Sequence, residues 1–185
     1  MKTFLPYLEL AARWHVFIMI NTYGWGKILG GQFYRRGSLP DEVGIQTLDT
    51  VNSFDLAWTF MGHSYTYILF VGLSQIIGGW CLLFERTKIL GIAILLPILV
   101  NIIAFDAIFF ETYGALASAV NYFFLLLLTL YLNREKIIQA FNTLTTYRPL
   151  DQSLKNQRIK TALIVATSIG VIFGLEQVAV NILGH

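Results

Sequence analysis

The chain has 185 residues, 56% of them hydrophobic and 13% charged, with a formal net charge of +2 and a mean hydropathy of +0.62. So few charges on so apolar a chain exclude an ordinary soluble domain, in which about a quarter of residues are charged. The single cysteine, Cys81, excludes an internal disulfide and a cluster of thiolate metal ligands.

Crossing roughly 30 Å of hydrocarbon takes about 20 apolar residues in a helix. Five such runs fit without overlap, at 6–29, 64–84, 89–110, 113–132 and 161–183. The expected fold is therefore an all-α integral membrane protein. It has a four-helix transmembrane core over 1–135, a basic cytoplasmic connector over 136–160, and a fifth, C-terminal transmembrane helix over 161–185.

In the first run Glu9 and Arg13 interrupt the apolar start and no A-x-A site follows, so the run is expected to remain in the mature protein. The same two residues, spaced i,i+4 in the favourable order, predict an ion pair at the inner interface. His15 lies at mid-span, whereas His63 is at the far end of the second run and His185 at the terminus. No second histidine shares its depth for a haem, which favours a hydrogen-bonded core histidine over a metal or haem ligand.

Residues 30–63 form a long outer loop. Within it Leu48, Val51, Phe54, Trp58 and Met61 recur at helical spacing with Asp49, Asn52, Asp55 and Thr59 between them. That pattern predicts a short interfacial amphipathic helix, with an ordered aromatic loop as the alternative.

The second, third and fourth runs are joined by FERTK and ETYG, connectors so short that the helices must be antiparallel neighbours. Small residues at Gly26 and Gly30, Ser74 and Gly78, and Gly114 and Ser118 offer close-packing faces. Lys2, Arg86, Lys88, Arg134, Lys136, Arg148, Lys155, Arg158 and Lys160 fall on one side, against Lys27, Arg35 and Arg36 on the other. The positive-inside rule then puts the N-terminus in the cytoplasm and the C-terminus outside. The basic residues follow the inner ends of membrane helices, giving no separate face for nucleic acid.

The third run, LPILVNIIAFDAIFFE, carries Asn101 and Asp106 in hydrocarbon. An ionisable group at that depth costs about 2.5–3.5 kcal/mol on insertion scales, so it needs a reason. One reading pairs Asp106 with Lys27, with Asn101, Asn121 and Gln75 completing the hydrogen bonds. The other lets Lys27 snorkel to the headgroups and Asp106 reach water at its helix end. Glu111, at the same end, is interfacial. In the pairing reading Lys27 and Asp106 fix the polar head of a lipophilic ligand, and Tyr23, Trp25 and Phe105 contact its ring.

In the fifth run Ala162, Ala166, Gly170 and Gly174 recur every four residues, and Gln177 and Asn181 extend the stripe. This is a helix-packing seam. Glu176 lies about 200° around the helix from Gly174. Another helix, protonation, or burial in an oligomer or larger complex must therefore cover it. No phosphate loop, H-E-x-x-H pair or nucleophile elbow is present, and no metal site or intrinsic cofactor is expected.

Tyr23-Gly24, Lys27, Gln32-Phe33, Gly72, Gln75, Gly78-Gly79, Arg86-Thr87, Leu90-Gly91, Pro97, Asn101 and Asp106 form a pattern over residues 10–135. In this the chain resembles the DoxX/DoxD-like family of small bacterial membrane proteins. The resemblance implies a four-helix bundle in a bacterial inner membrane. Some members of that family are subunits of quinone-linked oxidising systems, which implies an accessory role here. The expected function is a non-catalytic membrane subunit. Its partners would be membrane lipid, other subunits or further copies of itself, and its ligand a quinone or lipid. Two alternatives stand beside it. One is a quinone-coupled oxidoreductase component with Asp106 or Glu176 as proton relay, and the other is an assembly or chaperone factor docking through the fifth helix.

Overall fold

The fold is known from a computed structural model, which describes residues 4–110, 113–146 and 158–183. Among these residues the chain is all helix and turn, with no strand. It divides into two compact units, Met1–Ala140 and Phe141–His185.

The first unit holds α1 (Leu5–Leu29), α2 (Asp41–Gly44), α3 (Ser53–Gly62), α4 (Tyr65–Leu83), α5 (Lys88–Phe109) and α6 (Tyr113–Leu132). A further helix, α7 (Arg134–Thr145), begins in this unit and runs into the next, and the second unit contains α8 (Arg158–Leu183). Four helices are long and apolar enough to cross a bilayer: α4, α5, α6 and, over Ile159–Ile182, α8. The chain is thus a multi-pass membrane protein.

α1 packs against α4 and α6, α4 against α5, and α5 against α6, which closes a four-helix ring. Lipid tails are as apolar as leucine, so such a ring holds by close contact and internal hydrogen bonds. The glycines give that contact. A Cβ on Gly24 would meet the Gly72 carbonyl at 3.0 Å, and one on Gly91 would meet the Gly78 carbonyl at 2.7 Å and the Leu82 nitrogen at 2.9 Å. Between them lies a core of Val16, Ile20, Leu82, Ile92, Leu95, Leu99, Ala119, Tyr122 and Leu126.

The helix ends follow local chemistry. α1 opens with a proline in its first turn and closes on Gly30, whose φ of 94° is left-handed, with the Gly31 amide donating to the Gly26 carbonyl at 2.8 Å. Arg35 folds back to donate to the Ile28 carbonyl at 2.6 Å, satisfying one of the last acceptors of that helix. Pro97 inside α5 has no amide to offer the preceding turn.

The loop helix forms, but from Ser53 rather than Leu48. The Asn52 side chain caps it by accepting from the Asp55 amide at 2.9 Å, while 47–51 fold as turn and leave Leu48 exposed. Phe54, Trp58 and Met61 still share a face.

In α8 every side chain from Ile159 to Ile182 is exposed, including Gly170, Gly174, Glu176 and Gln177. A Cβ on Gly170 or Gly174 would meet nothing within 4 Å. The expected turn near Pro149, Glu111 and His185 lie outside the described residues.

Candidate functional site

Two polar regions occupy opposite ends of the ring. One end carries the N-terminal part of α1, the α4–α5 turn and the end of α6. There Glu9 Oε1 accepts from Lys88 Nζ at 2.8 Å and Asn133 Nδ2 at 3.0 Å. Arg13 Nε lies 3.3 Å from the same oxygen without the geometry of a hydrogen bond. Arg13 Nη2 and Lys88 Nζ also reach the two oxygens of Glu85, at 2.6 and 2.8 Å. The guanidinium further donates to the Leu82 carbonyl at 3.0 Å, one of the open acceptors at the C-terminus of α4.

The predicted Glu9–Arg13 pair is therefore real, and it belongs to a larger cluster joining α1, α4, α5 and the α6–α7 junction. The Lys88 hydrogen bond, helped by Arg13, holds the Glu85 carboxyl below its usual range. Every charge there has its counter-charge within the cluster, which fits a staple between helices.

The other end holds a cavity of about 570 Å³ between α1, α4, α5 and α6, within the range of small-molecule sites. Its walls are mainly aliphatic and aromatic. Gln75, Lys27, Asp106, Asn101 and Tyr23, all expected to act together, do line it. So does Phe105.

Trp25 and Asn121 do not. Both are exposed on the outside of the ring, because the neighbouring positions, Gly24 and Tyr122, are the ones turned inward. Gln32, Phe33, Trp58, Ser118 and Tyr122 line the cavity in addition. The loop residues among them escaped the sequence reading because only the fold brings residues 32–33 and 58 over the mouth of the ring.

Lys27 and Asp106 are both buried, at 6% and 7% exposure. They are close enough to attract each other, yet no ion pair within 4.0 Å joins them. The expected direct pair is thus replaced by two buried groups that line one cavity with no ion pair between them. The Lys27 ammonium is instead held over aromatic faces, 5.8 Å from the centre of Tyr23 and 5.6 Å from that of Phe33.

Phe33 takes a positive φ of 67°, a conformation that costs an ordinary side chain about 1–3 kcal/mol. Its ring is also edge-on to Trp58 at 5.8 Å. Trp58 stacks on Phe54 at 4.8 Å, and Phe54 meets Phe110 at 5.1 Å, which completes an aromatic cover. That cover is tied down by the Tyr34 hydroxyl donating to Asp55 at 3.1 Å and the Tyr34 amide donating to the Trp58 carbonyl at 3.2 Å.

Gln75 is the residue that distinguishes this cavity. Its side chain is wholly buried, and neither its oxygen nor its nitrogen has a hydrogen-bond partner. Other polar side chains in the ring return to their own helix: Asn21 to the Phe17 carbonyl, Ser74 to Phe70 and Thr129 to Leu125. Gln75 does not.

On the flank, Tyr67 and Phe70 of α4 and Pro97 and Asn101 of α5 line the cavity and are also exposed. The cavity is therefore open sideways between these two helices.

His15 is exposed rather than set in the core, its ring 5.8 Å from Tyr122. Trp14, Trp25 and Trp80 are about half exposed on the outer surface. Among the described residues no group of three His, Cys, Asp or Glu side chains is gathered as a metal site would require.

No family model matches the chain, and no solved structure does. A protein of Bacillus subtilis (strain 168) named "Uncharacterized protein YwoB" is 31% identical over 135 residues, which are 72% of this chain and 82% of that protein. With that identity over that much of both chains, the protein belongs to the same family as YwoB.

Proposed function

We propose that this is a non-catalytic subunit of a bacterial inner membrane which holds a lipophilic ligand in the cavity between α1, α4, α5 and α6. One observation carries the reading. Gln75, Lys27 and Asp106, three buried polar groups from three helices, face a single apolar-walled space, and none of them makes a hydrogen bond or ion pair to another. Polar groups at membrane depth are expensive unless they are partnered or functional. A ligand head between them meets that need, and the opening between α4 and α5 gives entry from the bilayer.

In this reading α1 crosses the membrane with its three neighbours, and its charges are sheltered by them. The charge distribution supports an orientation with the ionic cluster on the cytoplasmic side, the cavity toward the outer leaflet and α3 at the outer interface. The DoxX/DoxD-like resemblance agrees with an accessory role.

The test is Lys27→Met in full-length protein purified from native membranes. The variant is expected to fold while losing a co-extracted small molecule that mass spectrometry finds on the parent protein. A variant that keeps that molecule unchanged, or a parent that carries none, overturns the proposal.

A second role, docking to a larger membrane complex, is favoured by α8. It is long enough to span, it is exposed on every side, and it carries Glu176, Gln177 and Asn181 among apolar residues. Gly170→Leu is expected to release a stoichiometric partner that co-purifies with the parent protein; retention of that partner refutes docking through this stripe.

A further inference from the structure

The hydrogen-bonding inventory of the cavity restricts the head of its occupant, granted the reading above that the cavity holds a ligand. A glutamine amide has a donor and an acceptor at the same place. Both are open on Gln75, in a side chain with no exposure at all. Lys27 brings a second donor, the unpartnered Trp58 Nε1 a third, and Asp106 a second acceptor, all on residues that line the same space. An occupant that only accepts, such as a ketone, an ether or a quinone, leaves the Gln75 carbonyl and the Asp106 carboxylate without partners. An occupant that only donates leaves the ammonium and the amide nitrogen without theirs.

A hydroxyl does both. Its oxygen accepts from Nε2 or Nζ while its proton goes to Oε1 or the carboxylate. The walls specify the rest. The rings of Tyr23, Phe33, Phe105 and Tyr122 favour a flat body, and the opening beside Phe70 and Pro97 leaves an apolar tail in lipid.

We infer that the cavity is built for a neutral amphiphile whose ring bears a hydroxyl, a phenol or ring alcohol with an apolar tail, and that Gln75 is the residue that reads the hydroxyl.

The test uses full-length protein in lipid nanodiscs, with empty nanodiscs as the control for partition into lipid. Two probes of equal length are titrated against it: 4-decylphenol, and its methyl ether 4-decylanisole. Leaving a buried polar group unpaired is costly enough that the phenol should bind about tenfold to a hundredfold more tightly than the ether. In Gln75→Leu, which keeps the apolar volume and removes an unpaired amide, the protein should fold at least as well. There the preference should fall to about threefold or less, on the remaining charged pair alone.

Equal binding of phenol and ether overturns the hydroxyl inference and leaves ligand binding standing. An undiminished preference in Gln75→Leu overturns the assignment to Gln75. Failure of both probes to bind the parent protein at any level above empty nanodiscs overturns the inference, while the small molecule co-extracted with the parent protein and its loss in Lys27→Met judge the broader proposal separately.

Discussion

Removing Glu9 tests whether the ionic cluster holds the four helices together. In Glu9→Ala, Lys88 loses a contact at 2.8 Å, Asn133 one at 3.0 Å, and Arg13 its neighbour at 3.3 Å, while Arg13 and Lys88 both stay 3% exposed. Taking one partner from a buried ion pair costs about 3–5 kcal/mol. Here each cation keeps Glu85, at 2.6 and 2.8 Å, but the Glu85 side chain is 61% exposed and its charge is screened. The expected loss for Glu9→Ala is therefore about 2–4 kcal/mol. For Glu85→Ala, which leaves Glu9 in place, it is about 0–1 kcal/mol.

Adding Lys88→Met to Glu9→Ala should cost less than adding it to the parent protein, by about 1–3 kcal/mol, because the uncompensated cation is then gone. Equilibrium unfolding in mixed micelles, followed by circular dichroism, measures the parent and all four variants. A Glu9→Ala within about 0.5 kcal/mol of the parent, or equal losses for Glu9→Ala and Glu85→Ala, refutes the idea that burial makes Glu9 the anchor of the cluster.

Gly91→Ala should lower stability by about 1–3 kcal/mol in the same assay, since its Cβ would strike α4 backbone at 2.7 Å. Gly114→Ala, with nothing within 4 Å of its Cβ, should be neutral or stabilising by about 0.5–1 kcal/mol through helix propensity. Because the folded Glu85 carboxyl titrates below its ordinary value of 4.5, its contribution is complete above that value and is lost as pH falls through the lowered one. Unfolding measured from pH 6 down to about 3 should show a loss that Glu85→Gln flattens. Tyr34→Phe, which removes the hydrogen bond to Asp55, should loosen the aromatic cover by about 0.5–1.5 kcal/mol. Faster amide exchange at 33–36 and 53–62 would register it, and unchanged exchange would refute the tie.

The apolar runs marked α4, α5 and α6 to within a residue or two, because crossing hydrocarbon is a demand on local composition. The same local logic exposed the Glu9–Arg13 pair, whose spacing along one helix is enough to bring it together. The grouping of Lys27, Gln75, Asn101 and Asp106 was legible for a related reason. Each is a polar residue at similar depth in an apolar helix, and such residues are driven to a shared interior.

Which way each helix turns was not legible. In water the buried face of a helix is marked by its apolar stripe. In lipid the outer surface is as apolar as the core, so nothing in the sequence said that Gly24 and Tyr122 face inward while Trp25 and Asn121 face out. Partners distant along the chain were hidden as well: Lys88 and Asn133 reach Glu9 across 79 and 124 positions. The start of α3 was misplaced because a capping side chain, Asn52, overrode a hydrophobic repeat that continues through the turn before it.

Sequence alone thus marked α4, α5, α6 and α8 as apolar enough to cross and showed which of their residues are too polar for lipid, since both depend on transfer from water to hydrocarbon, one side chain at a time. Only the tertiary structure decided which of those polar groups satisfy one another and which are left facing a space. Pairing depends on helix rotation and distance, and close glycine contacts set both.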